Sequence, residues 1–184
     1  MAGTFSYKVL RDTDPENPRD NDNVGVMHCA HGRYTLGDKG ADTPFVDDDY
    51  RAKKQRPDVL TYLPIYMYDH SGLAFAHTPF SCQWDSGLLG WHYVTREKAA
   101  ETWPHVTDED ELIERAVELM KGELEEYGHF IDGEVYGFQI LDENDEDIDS
   151  CWGFVGTDIE TNGMLDAAGK EHAEGLRKAW EDRQ

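Results

Sequence analysis

Along much of the chain, apolar and polar residues alternate with the period of two that a half-buried strand requires. Residues 4–10 and 24–28 read as short strands, separated by a loop at 12–23 that is rich in Asx and carries two prolines. The chain turns at Arg33-Tyr34-Thr35-Leu36-Gly37-Asp38 and reads as irregular as far as Asp49. Residues 59–68 form a longer β-rich run, in which Pro64 predicts an edge position or a bend. After the turn Asp69-His70-Ser71-Gly72 come two more strands, 73–76 and 88–95, the second with Trp91 and Tyr93 on one face and His92 and Val94 on the other.

The period then changes. Leu112, Ala116, Leu119, Met120 and Leu124 recur at helical spacing, which predicts a helix from an N-cap at Thr107, with Asp110 at the capping-box position, to Gly128. Residues 134–141, with Tyr136, Phe138 and Ile140 on one face, and the alternating run Ile148, Ser150, Trp152, Phe154 predict a hairpin. From Met164 onward Leu165, Ala168, His172, Leu176 and Trp180 approach helical spacing, interrupted by Gly169 and Gly175. The expected fold is α+β: one domain, 1–184, a mostly antiparallel sheet with the 107–128 and C-terminal helices packed on it, and acidic loops at 11–23, 38–49 and 142–147.

Charge changes the picture most. The 184 residues carry 39 Asp and Glu against 17 Lys and Arg, a formal net charge of −22. A hydrophobic content of 39% is enough to bury a core, so the charge does not imply wholesale disorder. A polyanion of this size repels phosphate, which argues against direct binding of nucleic acid or an anionic membrane. No apolar run is long enough to span a bilayer and Met1 is not followed by a leader-like segment, so the expected location is the cytoplasm. Cys29, Cys82 and Cys151 are odd in number and far apart, which suits reduced thiols, with no zinc-ribbon spacing.

The acids are also unevenly placed. On the outer face of the 107–128 helix, Asp108, Glu109, Asp110, Glu111, Glu114, Glu118, Glu123, Glu125 and Glu126 are opposed only by Arg115 and Lys121, and those near the C-terminal end work against the helix dipole. The hairpin tip adds Asp142, Glu143, Asp145, Glu146 and Asp147. That loop lacks the glycine and terminal glutamate of an EF-hand, so it does not read as a calcium site. The one basic cluster, Arg51, Lys53, Lys54 and Arg56, reads as a short surface helix balancing Asp47, Asp48 and Asp49.

Three constellations have chemical potential. Cys82, His70 and Asp85 are the residue types of a thiol nucleophile, its base and an orienting carboxylate, although Asp-Ser-Gly is also an ordinary chain-reversing turn. His28 and His31 could clamp a metal if the chain bends between them; half-buried structural histidines are the alternative. Cys82-Gln83-Trp84-Asp85-Ser86 and Asp149-Ser150-Cys151-Trp152 read as two strands packed around one aromatic centre. There is no P-loop, dinucleotide fingerprint, nucleophile elbow or paired-His metalloprotease helix, and no cofactor is implied.

The strings Asp22-Asn23-Val24-Gly25, Arg33-Tyr34-Thr35-Leu36-Gly37-Asp38, Tyr68-Asp69-His70-Ser71-Gly72, Pro79-Phe80-Ser81-Cys82-Gln83-Trp84-Asp85-Ser86-Gly87, Gly133-Glu134-Val135-Tyr136-Gly137-Phe138 and Asp149-Ser150-Cys151-Trp152-Gly153-Phe154 together resemble a family of acidic proteins carried by bacteriophages and mobile elements. The resemblance implies a setting, the cytoplasm of an infected bacterium, and a counter-defence role against restriction or CRISPR machinery, and it carries over no catalytic residue. The expected function is a non-enzymatic inhibitor. Its carboxylates Asp110, Glu111, Glu114, Glu118, Glu125, Glu126, Asp142, Glu143, Asp145, Glu146 and Asp147 would dock on a basic, nucleic-acid-binding surface of a host complex. The alternatives are a small hydrolase or nucleotide-modifying enzyme using Cys82, His70 and Asp85, and a salt-adapted accessory protein whose charge serves solubility.

Overall fold

The computed structural model describes residues 5–46, 54–82 and 84–183. Its strands are β1 (Ser6–Arg11), β2 (Val26–Cys29), β3 (Val59–Asp69), β4 (Leu73–Ala76), β5 (Ser86–Thr95), β6 (Val135–Leu141) and β7 (Asp147–Val155), and its helices α1 (Arg96–Thr102), α2 (Glu109–Ile131), α3 (Met164–Ala168) and α4 (Ala173–Asp182), with a 3-10 turn at Pro18–Asp20. The fold is α+β with antiparallel pairing, as the periodicity predicts. The strands form two sheets rather than one, ordered β1-β6-β7 and β2-β5-β3-β4. They belong to two compact units: Pro18–Gly128, and the chain up to Asn17 together with the chain from His129. No helix among the described residues is long and apolar enough to cross a membrane.

In the unit built from both ends of the chain, β1 pairs with β6 from Ser6↔Leu141 to Arg11↔Tyr136. Val9, Tyr136, Phe138 and Ile140 face one core with Ile159, Met164, Ala168 and Leu176. The C-terminal helix expected from composition is two helices. Gly169 takes φ +87°, a left-handed conformation that ends α3, and α4 restarts four residues later. Gly175 lies within α4 because the Tyr7 ring occupies the space its side chain would fill.

In the Pro18–Gly128 unit, α2 lays Ala116 and Met120 against Leu60, Val94 and Ala99. Tyr62 and Trp91, on the alternate positions of β3 and β5, meet Phe45 edge to face at 5.1 and 4.9 Å. Pro64 pairs with Trp91 of β5, while β4 covers β3 only from Tyr66 to Asp69. At the proline, then, β3 is locally an edge, where a missing N–H costs no ladder bond.

Several local expectations are corrected. The α2 cap is Asp108, not Thr107: its carboxylate accepts the Glu111 N–H at 2.9 Å. Helix α1 was not expected; Thr95 caps it by accepting the Lys98 N–H at 3.2 Å. Of the basic cluster, Arg51 and Lys53 lie outside the described residues, as do Asp47, Asp48 and Asp49. Lys54–Arg56 is extended, with Gln55 bridging Phe45 and the Val46 N–H donating to the Lys54 carbonyl. Nor is there a shared Cys-Trp centre. Trp84 is 95% exposed, Trp152 is 43% exposed, Cys151 is exposed, and the two segments belong to different units. Exchanging Asp108 for Ala is expected to lower the urea midpoint by the equivalent of about 1 kcal/mol at unchanged m, whereas Thr107→Ala changes stability by less than about 0.5 kcal/mol.

Candidate functional site

The outward acids of α2 separate from the inward residues by helical arithmetic. Ala116, Met120, Glu123 and Tyr127 follow the i, i+4, i+7, i+11 stripe that faces the core, so Glu123 does not belong to the outer face. The other eight acids from Asp108 to Glu126 are exposed. Three of them are paired: Glu109 with Arg96, Glu111 with Arg115 and Glu118 with Lys121. Among the described residues Asp110, Glu114, Glu125 and Glu126 have no cationic partner. The stripe of Asp110, Glu114, Glu118 and Glu125 covers about a quarter of the helix circumference, opposite the buried stripe.

At the hairpin tip Glu143, Asp145, Glu146 and Asp147 are exposed. Asp142 has a structural task. Its carboxylate accepts the N–H groups of Asn144 at 2.8 Å and Glu146 at 3.0 Å, bonds that hold it below the usual carboxylate range and let Asp145 take φ +63°. The acids of α2 before His129 and those of the tip belong to different units.

The largest polar construction was not legible as a motif. The Arg19 guanidinium, with 2% of its side chain exposed, donates from Nε and Nη2 to the two oxygens of Asp38 at 2.7 and 3.0 Å, from Nη1 to Glu123 Oε2 at 3.2 Å and from Nη2 to the Gly25 carbonyl at 2.6 Å. Glu123 Oε1 accepts the Val24 and Gly25 N–H groups, each at 3.1 Å, and Asp38 accepts the Met27 N–H at 3.0 Å. His92, with no exposed surface, lies 2.9 Å from Glu123 Oε2 through Nε2. An ionised carboxylate can only accept, so Nε2 carries the proton and the unpartnered Nδ1 is a bare lone pair. Gly25 has to be glycine, since a Cβ there would collide with His92 Nε2 and Glu123 Oε2.

Burial holds the His92 imidazole below the usual histidine range. Burial alone would raise Glu123, but the bonds from His92 and the Gly25 N–H and the charge of Arg19 keep it below the usual carboxylate range. Cys29 beside them is pushed up to about 12 by burial and then by Asp38, so it stays a thiol.

Cys82, His70 and Asp85 do come together, in an order unlike a nucleophile–base–acid relay. The Cys82 thiol donates to Asp85 Oδ2 at 3.6 Å, and His70 Nδ1 lies 3.5 Å from that same oxygen. The carboxylate stands between thiol and imidazole, so the base does not contact the nucleophile it would have to deprotonate. Asp85 also lines a surface cleft of about 320 Å³ with Asp69, Trp84, Leu88 and Leu89 among its walls.

The candidate metal pair is engaged internally: His28 Nδ1 lies 2.7 Å from the Ala41 carbonyl, and His31 Nδ1 accepts the N–H groups of Arg33 and Tyr34 at 3.3 and 3.2 Å. Among the described residues no group of three or more His, Cys, Asp or Glu side chains is arranged to hold a metal ion. No family model, curated protein or solved structure matches the chain.

Two outcomes follow from the buried network. Arg19→Met strands Asp38 and Glu123 without their counter-charge and is expected to cost about 3–5 kcal/mol in equilibrium unfolding. Folded His92 and Glu123 both bind protons less readily than in the unfolded chain, so stability rises with pH. It is complete above the ordinary histidine value of 6.5 and declines below it, with Glu123 adding a further loss below its ordinary 4.5. Denaturant midpoints measured from pH 7.5 to 4.5 should fall, and a His92→Gln variant should show a flatter profile between pH 6.5 and 5.

Proposed function

We propose that the chain is a non-enzymatic acidic binding protein that occupies a basic, nucleic-acid-binding surface of a host defence complex in place of phosphates. The observation that carries this reading is the set of exposed acids of α2: Asp110, Glu114 and Glu125 on the outward stripe, and Glu126 on its flank, have no cationic partner among the described residues. Eight exposed carboxylates from Asp108 to Glu126 are spread over about 27 Å of helix axis, a mean spacing of about 3.9 Å, which is of the order of the ~3.4 Å axial charge spacing of a single DNA strand. Carboxylates so close together repel one another, and none of the described residues supplies a cation for these four, so an external cationic surface is the natural complement. The acids of the hairpin tip, other than Asp142, are a second set of the same chemistry.

The reading as a thiol enzyme has less support, because Asp85 separates Cys82 from His70. The resemblance of the sequence strings to proteins of bacteriophages and mobile elements favours a defence complex as the partner.

The test is capture from a bacterial host, elution in a salt gradient and competition with duplex DNA. The captured protein should be a nucleic-acid binder that elutes at moderate salt and yields to DNA. The variant D110K/E114K/E125K/E126K should lose it, and the neutral D110N/E114Q/E125Q/E126Q should weaken it, with circular dichroism confirming the fold of both. Retained capture by both variants overturns the proposal.

A further inference from the structure

Trp84 is 95% exposed, an indole standing in water at the rim of the cleft that Asp69 and Asp85 line. An exposed indole is an unspent apolar surface and the strongest aromatic acceptor for a cation. Met67, Leu88 and Leu89 add apolar lining beside the polar His31 and Ser86. The two residues are neighbours, the Asp69 N–H donating to the Asp85 carbonyl at 2.8 Å where β3 ends and just before β5 begins, and both line the cleft. Each is engaged through one oxygen only. Asp69 Oδ2 takes Arg33 and the Tyr34 hydroxyl, and Asp85 Oδ2 takes Cys82 and His70; Oδ1 of both has no partner among the described residues.

We propose that this cleft is a guanidinium site that receives an arginine side chain of the protein partner, a deepening that rests on the basic-surface reading above. The Oδ1 atoms of Asp69 and Asp85 accept the guanidinium N–H groups, and Trp84 covers the cationic plane and the methylene stem behind it. A guanidinium fits better than an ammonium, because it is flat, offers several donors in one plane and stacks on an indole. The chain shows the same chemistry beside the cleft: Arg33 pairs with Asp69 while its guanidinium lies 4.7 Å above the Tyr34 ring. Arginine is also the residue that nucleic-acid-binding surfaces most often use to read guanine.

The probe is N-acetyl-arginine methylamide, titrated into the full chain and read from the indole N–H resonance that disappears in Trp84→Phe. A saturable shift is expected, at least tenfold weaker in Asp85→Asn, with no response to the neutral citrulline analogue. Absence of a saturable shift, an equal response to citrulline, an equal or stronger response to the lysine analogue, or a response only to magnesium or calcium each overturns it. Partner capture separates the two proposals. If the α2 variants lose capture while the titration is silent, the cleft assignment fails and the acidic-face reading stands. If the α2 variants retain capture while arginine still binds at Trp84, the acidic-face reading fails and the cleft remains an arginine site.

Discussion

The Pro18–Gly128 unit depends on one buried cation. Arg19 bridges a loop, the turn that ends at Asp38 and the inward face of α2, and its planar guanidinium meets two carboxylates and a carbonyl at once. A lysine has the charge but neither the reach nor the fixed donor geometry for three directions. Through Asp38 the cation also fixes the start of β2, because Asp38 both accepts the Met27 N–H and donates its own N–H to the Met27 carbonyl. Through Glu123 it sets the rotation of α2. One turn on, Tyr127 accepts the Gly37 N–H at 3.0 Å and repeats the constraint. With that face anchored, the acidic stripe has only the outside left.

The acids of this protein therefore have two distinct lives. Asp38 and Glu123 are interior groups whose negative charge is consumed by Arg19 and by backbone N–H groups, and Asp142 is consumed by the turn it organises. A group of this kind answers to folding: it is replaced only at the expense of the surrounding structure. Among the described residues, the exposed carboxylates within α2 have no cationic partner beyond Arg96, Arg115 and Lys121. Net charge by itself hides that division, since −22 counts both kinds alike.

What the sequence revealed follows the range of the interactions involved. The strands and α2 were readable because periods of two and 3.6 are local. The hairpin of β6 and β7 was readable because its partners are neighbours in sequence. The division into two sheets was not, since among the described residues β1 pairs only with β6, more than a hundred residues on. The network around Arg19 was hidden for the same reason, as residues 19, 38, 92 and 123 share no string. One signal was available: Glu123 lies on the stripe with Met120 and Tyr127, so an acid there had to be buried and matched. Cap choice between Thr107 and Asp108 turned on a single residue of phase. Trp84 and Trp152 were misread because indoles are usually interior, and the exposure of Trp84 became visible only in the structure. Cys82, His70 and Asp85 lie together, but their order depends on which atoms face each other, which spacing does not encode.

The pairing of β1 with β6 has a consequence for synthesis. Residues 18–128 close on contacts among themselves and can settle while the rest of the chain is still being made. β1 emerges before its hydrogen-bonding partner, which appears only after some 125 further residues, roughly 6–25 s at ordinary elongation rates. For that interval an early strand with an exposed Phe5 and Leu10 waits with both edges open. A strand made before the 18–128 unit is thus secured after it, and over that interval β1 is open to mispairing.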